Sequence, residues 1–312
     1  MSDLSTTSPA LGAPPTPHSG EEIAPTKELS QAQLVLRRFV RHRLAVVSVV
    51  VFLLVCAFAF LGPLFWKYGV EIVPGAPSSA PPSAAHPFGT DQAGHDVLGQ
   101  VMRGTQQSLK IALLVALLAT SLGAVWGAVA GFYRGWADAM MMRFVDVLLT
   151  LPFIAVAIAL SVNIRGGSTW FGLALVLGLL GWTGISRIVR GVVLSLREQE
   201  FVEAARALGA SDARIILRHL LPNALGPIIV AATITIASAI LAETALSFIG
   251  FGVKAPDTSL GLLITSAQSA VFTRPWLFYF PGIFIILTVL SINFVGDGLR
   301  DAFDPRQTLV RR

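Results

Sequence analysis

Long apolar runs alternate with short polar stretches along most of this chain. Six runs approach the roughly 20 residues that a helix needs to cross a bilayer. They lie at Leu44–Phe65, Leu109–Phe132, Met140–Val162, Ser168–Ile188, Ile228–Phe251 and Trp276–Phe294. Asp146 and Pro152 interrupt the third. The pattern predicts an all-α integral membrane protein with six transmembrane helices spread over residues 34–296. Composition agrees, with 54% hydrophobic and only 13% charged residues, far from an average soluble domain.

The polar stretches differ from one another. Residues 1–33 are rich in Ser, Thr, Pro and Gly at first and lack periodicity, which predicts a disordered tail. It is followed by a basic amphipathic lead-in, Leu34 to Arg43, suited to topology anchoring or to a partner contact. A Pro/Ala/Ser-rich segment, Pro74 to Ala85, opens a long loop over 67–108, and residues 297–312 form a second tail.

The largest polar insertion among the later runs, Arg197 to Pro227, lies within a loop over 189–227. Phe201, Ala204, Ala205 and Leu208 recur there at helical spacing beside Glu200, Glu203 and Arg206. Gly209 stands where a helix-ending residue with positive φ is often needed. Ser211 suits the N-cap of a second helix and Asp212 its dipole, while Pro222 and Pro227 are expected to end it. The segment predicts two short helices joined at a glycine, a knuckle suited to docking.

Charge orients the chain. With six spans, seventeen of the 23 Lys and Arg residues fall on the side that holds both termini and the knuckle, and six on the other. That bias marks the cytoplasmic side. It also explains the net charge of +5 without nucleic acid, for which no interleaved basic-aromatic platform exists. The single Cys56 can form neither an internal disulfide nor a thiolate cluster and reads as apolar packing. Val55 is too large for a lipoprotein cleavage site, and the first run is too long and too far along the chain for a cleaved signal peptide.

Catalytic chemistry is not legible. No lysine follows a glycine as a phosphate-binding loop requires, and no nucleophile elbow, zinc-helix motif or dinucleotide fingerprint occurs. The expectation is a non-enzyme with no cofactor of its own. His86, Asp91, His95 and Asp96 are residue types that bind nickel or zinc, but their spacing matches no closed site. A turn-rich cap shaped by Gly89, Thr90, Asp91 and Gly94 is the alternative, and no metal site is predicted.

Gly123, Gly127, Gly131 and Gly135 recur every four residues and predict a close helix–helix interface, within the subunit or against a second one. Gly178, Gly181 and Gly184 read in the same way, more weakly. Glu243, within ETALSFIGFG, is an intramembrane carboxylate beyond the midplane. It and Phe248 are candidates for the pathway or a gate, against the alternative of a satisfied structural carboxylate. Asp146 pairs by default with Arg143, one turn earlier.

Glu203-Ala204-Ala205, Gly209 and Leu221-Pro222 at their observed spacing resemble the EAA loop of ABC importer permeases, with His219 where Ile is usual. RHLLPNALGP is similar to the peptide and nickel branch. HPFGTDQAGHD, from His86 to Asp96, resembles the external-loop signature of its C-type subunits, with His95 for the usual Arg and Gln100 for another. The closing GDGLRDAFDPR from Gly296 is similar to the end of such subunits.

The resemblance implies a type I ABC importer permease with both termini cytoplasmic, in a prokaryotic cytoplasmic membrane. It implies one of two transmembrane subunits of a dipeptide or oligopeptide importer. The partners would be a homologous B-type permease, two ATPases that hold ATP and Mg, an extracytoplasmic binding protein and membrane lipid. In that scheme the helix Phe201–Leu208 docks on an ATPase, Glu203 makes a polar contact, Ala204 and Ala205 pack closely and Gly209 makes the turn. Nickel or another small solute is an alternative cargo. An ion-driven secondary transporter is the alternative class, although no inverted repeat with paired broken helices is evident.

Overall fold

The computed structural model describes residues 31–164 and 166–303. Most of the two expected tails, residues 1–30 and 304–312, lies outside that range. The chain begins with α1 (Gln31–Arg41), α2 (Arg43–Phe60) and α3 (Gly62–Phe65). After an irregular segment come α4 (Val97–Tyr133), α5 (Gly135–Thr150), α6 (Phe153–Asn163) and α7 (Trp170–Leu196). The knuckle holds α8 (Glu200–Ala207), α9 (Asp212–Ile215), a π-helical turn Ile216–Leu220 and α10 (Leu221–Asn223). It is followed by α11 (Leu225–Phe248), α12 (Leu260–Ala267) with a 3-10 turn Gln268–Ala270, and α13 (Trp276–Phe303). Two isolated bridges, Ile72–His95 and Thr90–Asp96, are the extended pairing among the described residues.

Helices dominate because the hydrocarbon core offers no water to satisfy backbone N–H and C=O groups. Five helices, α2, α4, α7, α11 and α13, are long and apolar enough to cross a membrane. The chain is a multi-pass membrane protein. The third expected span is a bent pair: α5 and α6 meet at 86°. Pro152 supplies no N–H and forces extended backbone on Leu151, whose ψ is 137°, so the helix stops at Thr150.

Several boundaries differ from the hydropathy pattern. α4 starts at Val97 rather than Leu109, because Asp96 caps it by accepting a hydrogen bond from Gly99 N. The last part of the expected 67–108 loop, from Val97 on, is therefore helical. At about 1.5 Å per residue, its 37 residues reach past the hydrocarbon thickness. α13 runs on to Phe303, beyond the expected end of the membrane domain at residue 296. Pro222 and Pro227 do not end a helix. They sit in the first turns of α10 and α11, where the missing N–H would have no helical partner.

The tightest seam joins α4 to α7. A Cβ on Gly123 would lie 2.7 Å from Ile185 Cβ, and one on Gly131 3.0 Å from Arg190 O. One on Gly127 would collide with the Ser186 carbonyl. Gly135, expected in the same row, is not part of this seam. The helix breaks at Arg134, whose φ is 56°, and Gly135 opens α5 with no atom within 4 Å of its Cβ position. The row is thus internal to the subunit.

Two ion pairs tie α5 to α7. Arg190 grips Asp138 with two hydrogen bonds of 2.5 and 2.6 Å, a bidentate geometry. Arg187 donates to Asp146, which replaces the local Arg143 pairing expected from sequence: the facing helix comes closer than the neighbour one turn away.

This packing separates glycines that the sequence treats alike. Gly127→Ala should destabilise the purified subunit by about 1–3 kcal/mol through overpacking, seen as a lower thermal denaturation midpoint. Gly184→Ala, with nothing within 4 Å of its Cβ, should leave the midpoint unchanged. Equal midpoints for both variants would contradict the seam.

Candidate functional site

The knuckle divides α8 between two environments. Val202 is fully buried and Ala205 8% exposed. They pack with Ile215, Ile216 and Leu220 and with Phe132 and Val193 at the ends of α4 and α7. Phe201, Ala204 and Leu208 face outward, Leu208 at 88% exposure. The single apolar stripe expected from sequence is therefore split. Ala205 lies on the edge between two faces at about 100° per residue and falls to the buried side, while Glu203 is exposed.

Gly209 turns the chain with φ +77°, a backbone region that costs glycine nothing. Its N–H donates to Arg206 O at 2.9 Å and Ala210 N–H to Ala205 O at 3.0 Å, the paired bonds of a Schellman ending. Ser211 stands at the N-cap of α9 but makes no side-chain capping bond. Leu221 is half-buried against the same core and Pro222 is exposed.

Below the knuckle, Arg197 donates to Phe132 O and Arg134 meets Glu198 at 2.8 Å. The Arg206 guanidinium lies over the Phe132 ring at 5.4 Å, a cation–π distance. Burial, then repulsion from Arg134 and Arg206, lowers the Arg197 pKa below its ordinary value. These contacts fix the knuckle to the helix ends.

The opposite polar cluster is organised around two aspartates. Asp96 is fully buried and accepts from Trp66 Nε1 at 2.8 Å as well as capping α4. His86 Nδ1 lies 2.8 Å from its other oxygen. Asp91 takes His95 Nδ1 at 2.7 Å and Gln100 Nε2 at 3.2 Å, so the two departures from the resembled signature converge on one carboxylate. The four candidate ligands thus pair off rather than converge. Among the described residues no group of three His, Cys, Asp or Glu is placed to hold a metal.

Thr90 donates to Pro77 O at 2.5 Å and accepts from Ala80 N at 2.9 Å, which closes the loop back on itself. Gly89, with φ +77°, lets this turn press against the Trp276 indole, and Gly94 turns at φ +86°. Asp91, His95 and Gln100 line a cavity of about 350 Å³ shared with Asp257 and α12.

Glu243 is fully buried inside a ring of serine hydroxyls from three elements. Ser259 donates at 2.6 Å and Ser247 at 2.7 Å to Oε1, and Ser108 at 3.4 Å to Oε2. Ser259 also caps α12 through Leu262 N, and Ser108 accepts from Leu260 N. The carboxylate thus staples α12 to α4 and α11. This is the satisfied structural carboxylate that stood as the alternative to a pathway or gate role, and within this chain it reaches no open surface. Phe248, the second gate candidate, is 49% exposed.

The helix α12 was missed because its apolar stretch is too short to register as a span. Ser259 before LGLLITSA was the signal that could have found it. A second cavity of about 320 Å³, lined by Phe153, Thr235 and Ser238 among apolar side chains, lies where α4, α7 and α11 meet the α5–α6 bend.

Glu243→Ala should destabilise the subunit by about 3 kcal/mol, from lost hydrogen bonds and a new void. Glu243→Gln retains an acceptor oxygen and should cost about 1 kcal/mol. Amide exchange across α12 should accelerate most in the alanine variant. Unchanged exchange there in both variants would refute the staple.

The geometry can be set beside known proteins. Residues 123–309 match the family described as the binding-protein-dependent transport system inner membrane component. Residues 30–82 match the N-terminal transmembrane domain of oligopeptide transport permease C. The chain is 41% identical over 288 residues to the oligopeptide transport system permease protein OppC of Mycobacterium tuberculosis, covering 92% of this chain and 99% of that one. OppC of Bacillus subtilis is 36% identical over 280 residues, covering 90% and 91% respectively. OppC of Escherichia coli is 39% identical over 277 residues, covering 86% and 89%. Among solved structures, the inward-facing MetNI methionine ABC transporter matches with a TM-score of 0.55 at 21% identity, over 66% of this chain and 97% of that one. That last likeness concerns the fold alone. Sequence and architecture agree that this chain belongs to the family of binding-protein-dependent transport system inner membrane components.

Proposed function

We propose that this chain is one of the two transmembrane subunits of an ATP-driven peptide importer in a prokaryotic cytoplasmic membrane. The exposed face Phe201, Ala204 and Leu208 carries the reading. It is an apolar surface left open on an element whose other face is locked into the membrane helices. The names of the OppC relatives support an oligopeptide cargo over nickel or another small solute.

The bias of the basic residues supports a cytoplasmic position for both termini and the knuckle. There the Phe201 face docks in a groove of an ATPase, Glu203 adds a polar contact at the rim, and Gly209 fixes the angle to the next helix. Two ATPases hold the ATP and Mg, and this chain has no catalytic residue and no cofactor. A homologous B-type permease completes the pathway, and an extracytoplasmic binding protein delivers the peptide.

Force enters at α8. Val202 and Ala205 pass it to Ile215, Ile216 and Leu220, and a nearly unbroken helical path from Asp212 to Phe248 carries it into the membrane. A rigid knuckle suits a change of access by packed helices moving as bodies. Ion-driven transport is less well supported, because the buried carboxylate Glu243 is enclosed by hydroxyls rather than set along a path.

Phe201→Asp and Leu208→Asp should each abolish co-purification of the ATPases and lower uptake more than tenfold, while the subunit stays in the membrane at normal abundance. Gly209→Asp should lower uptake in the same background by straining the turn. Retained ATPase and normal uptake in the first two variants would exclude this docking face.

A further inference from the structure

We propose that α1 is an interfacial helix that binds the headgroups of anionic phospholipids through Arg37, Arg41 and Arg43. Its packed side is settled. Arg38 donates to Ala302 O at 3.5 Å, a Cβ on Gly298 would lie 3.1 Å from the Phe39 ring, and His42 meets Asp301 at 3.5 Å. These contacts hold α1 on the end of α13 and fix which side is left open.

The open side carries two parallel rows. Leu36 and Val40, one turn apart, are 63% and 59% exposed. Arg37 and Arg41, also one turn apart and offset by one residue, are exposed beside them, and Arg43 follows at the start of α2. An apolar row next to a cationic row is unfavourable in water, where Leu36 and Val40 would stay hydrated. It is equally unsuited to the hydrocarbon core, where the guanidinium groups would lose their solvation. At the bilayer surface both rows are satisfied, the leucine and valine at the acyl boundary and the arginines at phosphate depth.

Continuity with the membrane supports the same placement. Leu44, Val47 and Val50 at the start of α2 are exposed apolar residues on a spanning helix, so α1 sits at the depth where lipid-facing surface begins. Charge supports the anionic class. Residues 31–43 hold four arginines and no acid, and arginine takes phosphate oxygens in a two-pronged geometry. The helix packs on α13 and α2, elements other than α8 with its Phe201 face.

The test uses the complete transporter, reconstituted in equimolar phosphatidylcholine and phosphatidylglycerol. A nitroxide on Val40→Cys in a Cys56→Ser background reports the surroundings of the apolar row. Relaxation by oxygen with exclusion of a water-soluble nickel chelate is expected. Access by both reagents would show a solvated helix, and access by neither would show a protein partner; either result overturns the proposal. In parallel, the Arg37→Gln, Arg41→Gln, Arg43→Gln triple variant should lose several-fold more co-purified phosphatidylglycerol than phosphatidylcholine. Unchanged retention, or equal loss of both lipids, would overturn the headgroup assignment. The nitroxide measurement stands without the triple variant should that variant fail to assemble.

Discussion

The seam between α4 and α7 is the constraint on which the other contacts depend. Lipid tails are as apolar as leucine, so membrane helices gain little from burying apolar side chains and must associate by close contact instead. Gly123, Gly127 and Gly131 provide it, bringing the α4 backbone against Ser186 and Arg190 of α7. That approach sets Asp138 within reach of Arg190 and Asp146 within reach of Arg187. The half-span α5 is thereby held in place although it is too short to cross alone.

The ends of the same two helices form the seat of the knuckle. Phe132 and Val193 meet Val202, Ile215 and Ile216, so the knuckle is continuous with the tightest part of the membrane domain. At the other end, Asp96 begins α4 and gathers Trp66 and His86, and Ser108 on the same helix reaches Glu243. One long helix thus links the knuckle, a polar cap and a buried carboxylate. This suits an element that must move as a unit, because each site is attached to it by directional bonds rather than by soft apolar contact.

Much of this was legible in the chain. Five spans, the broken character of the third expected one at Pro152, the glycine turn at Gly209 and the glycine row all follow from local rules: hydropathy, proline sterics, positive φ and small-residue spacing. What local rules miss are partners distant in sequence. Asp146 reads as paired with Arg143 until the facing Arg187 is present. Gly135 continues the row in register until the break at Arg134 removes it. For Glu243 the chain names no partner, and Ser108 and Ser259 reach it from 135 and 16 residues away.

The sequence alone determined that this is a helical membrane protein with a structured polar knuckle and no nucleotide-binding loop, because length, hydropathy and motif are properties of neighbouring residues. Only the tertiary structure decided which face of each helix is spent. It buried Val202 and Ala205 while leaving Phe201 and Leu208 open, and it supplied the hydroxyls that surround Glu243. Both outcomes depend on which surface a distant helix occupies, and helical periodicity cannot express that. The pattern shows that two faces exist, and packing chooses between them.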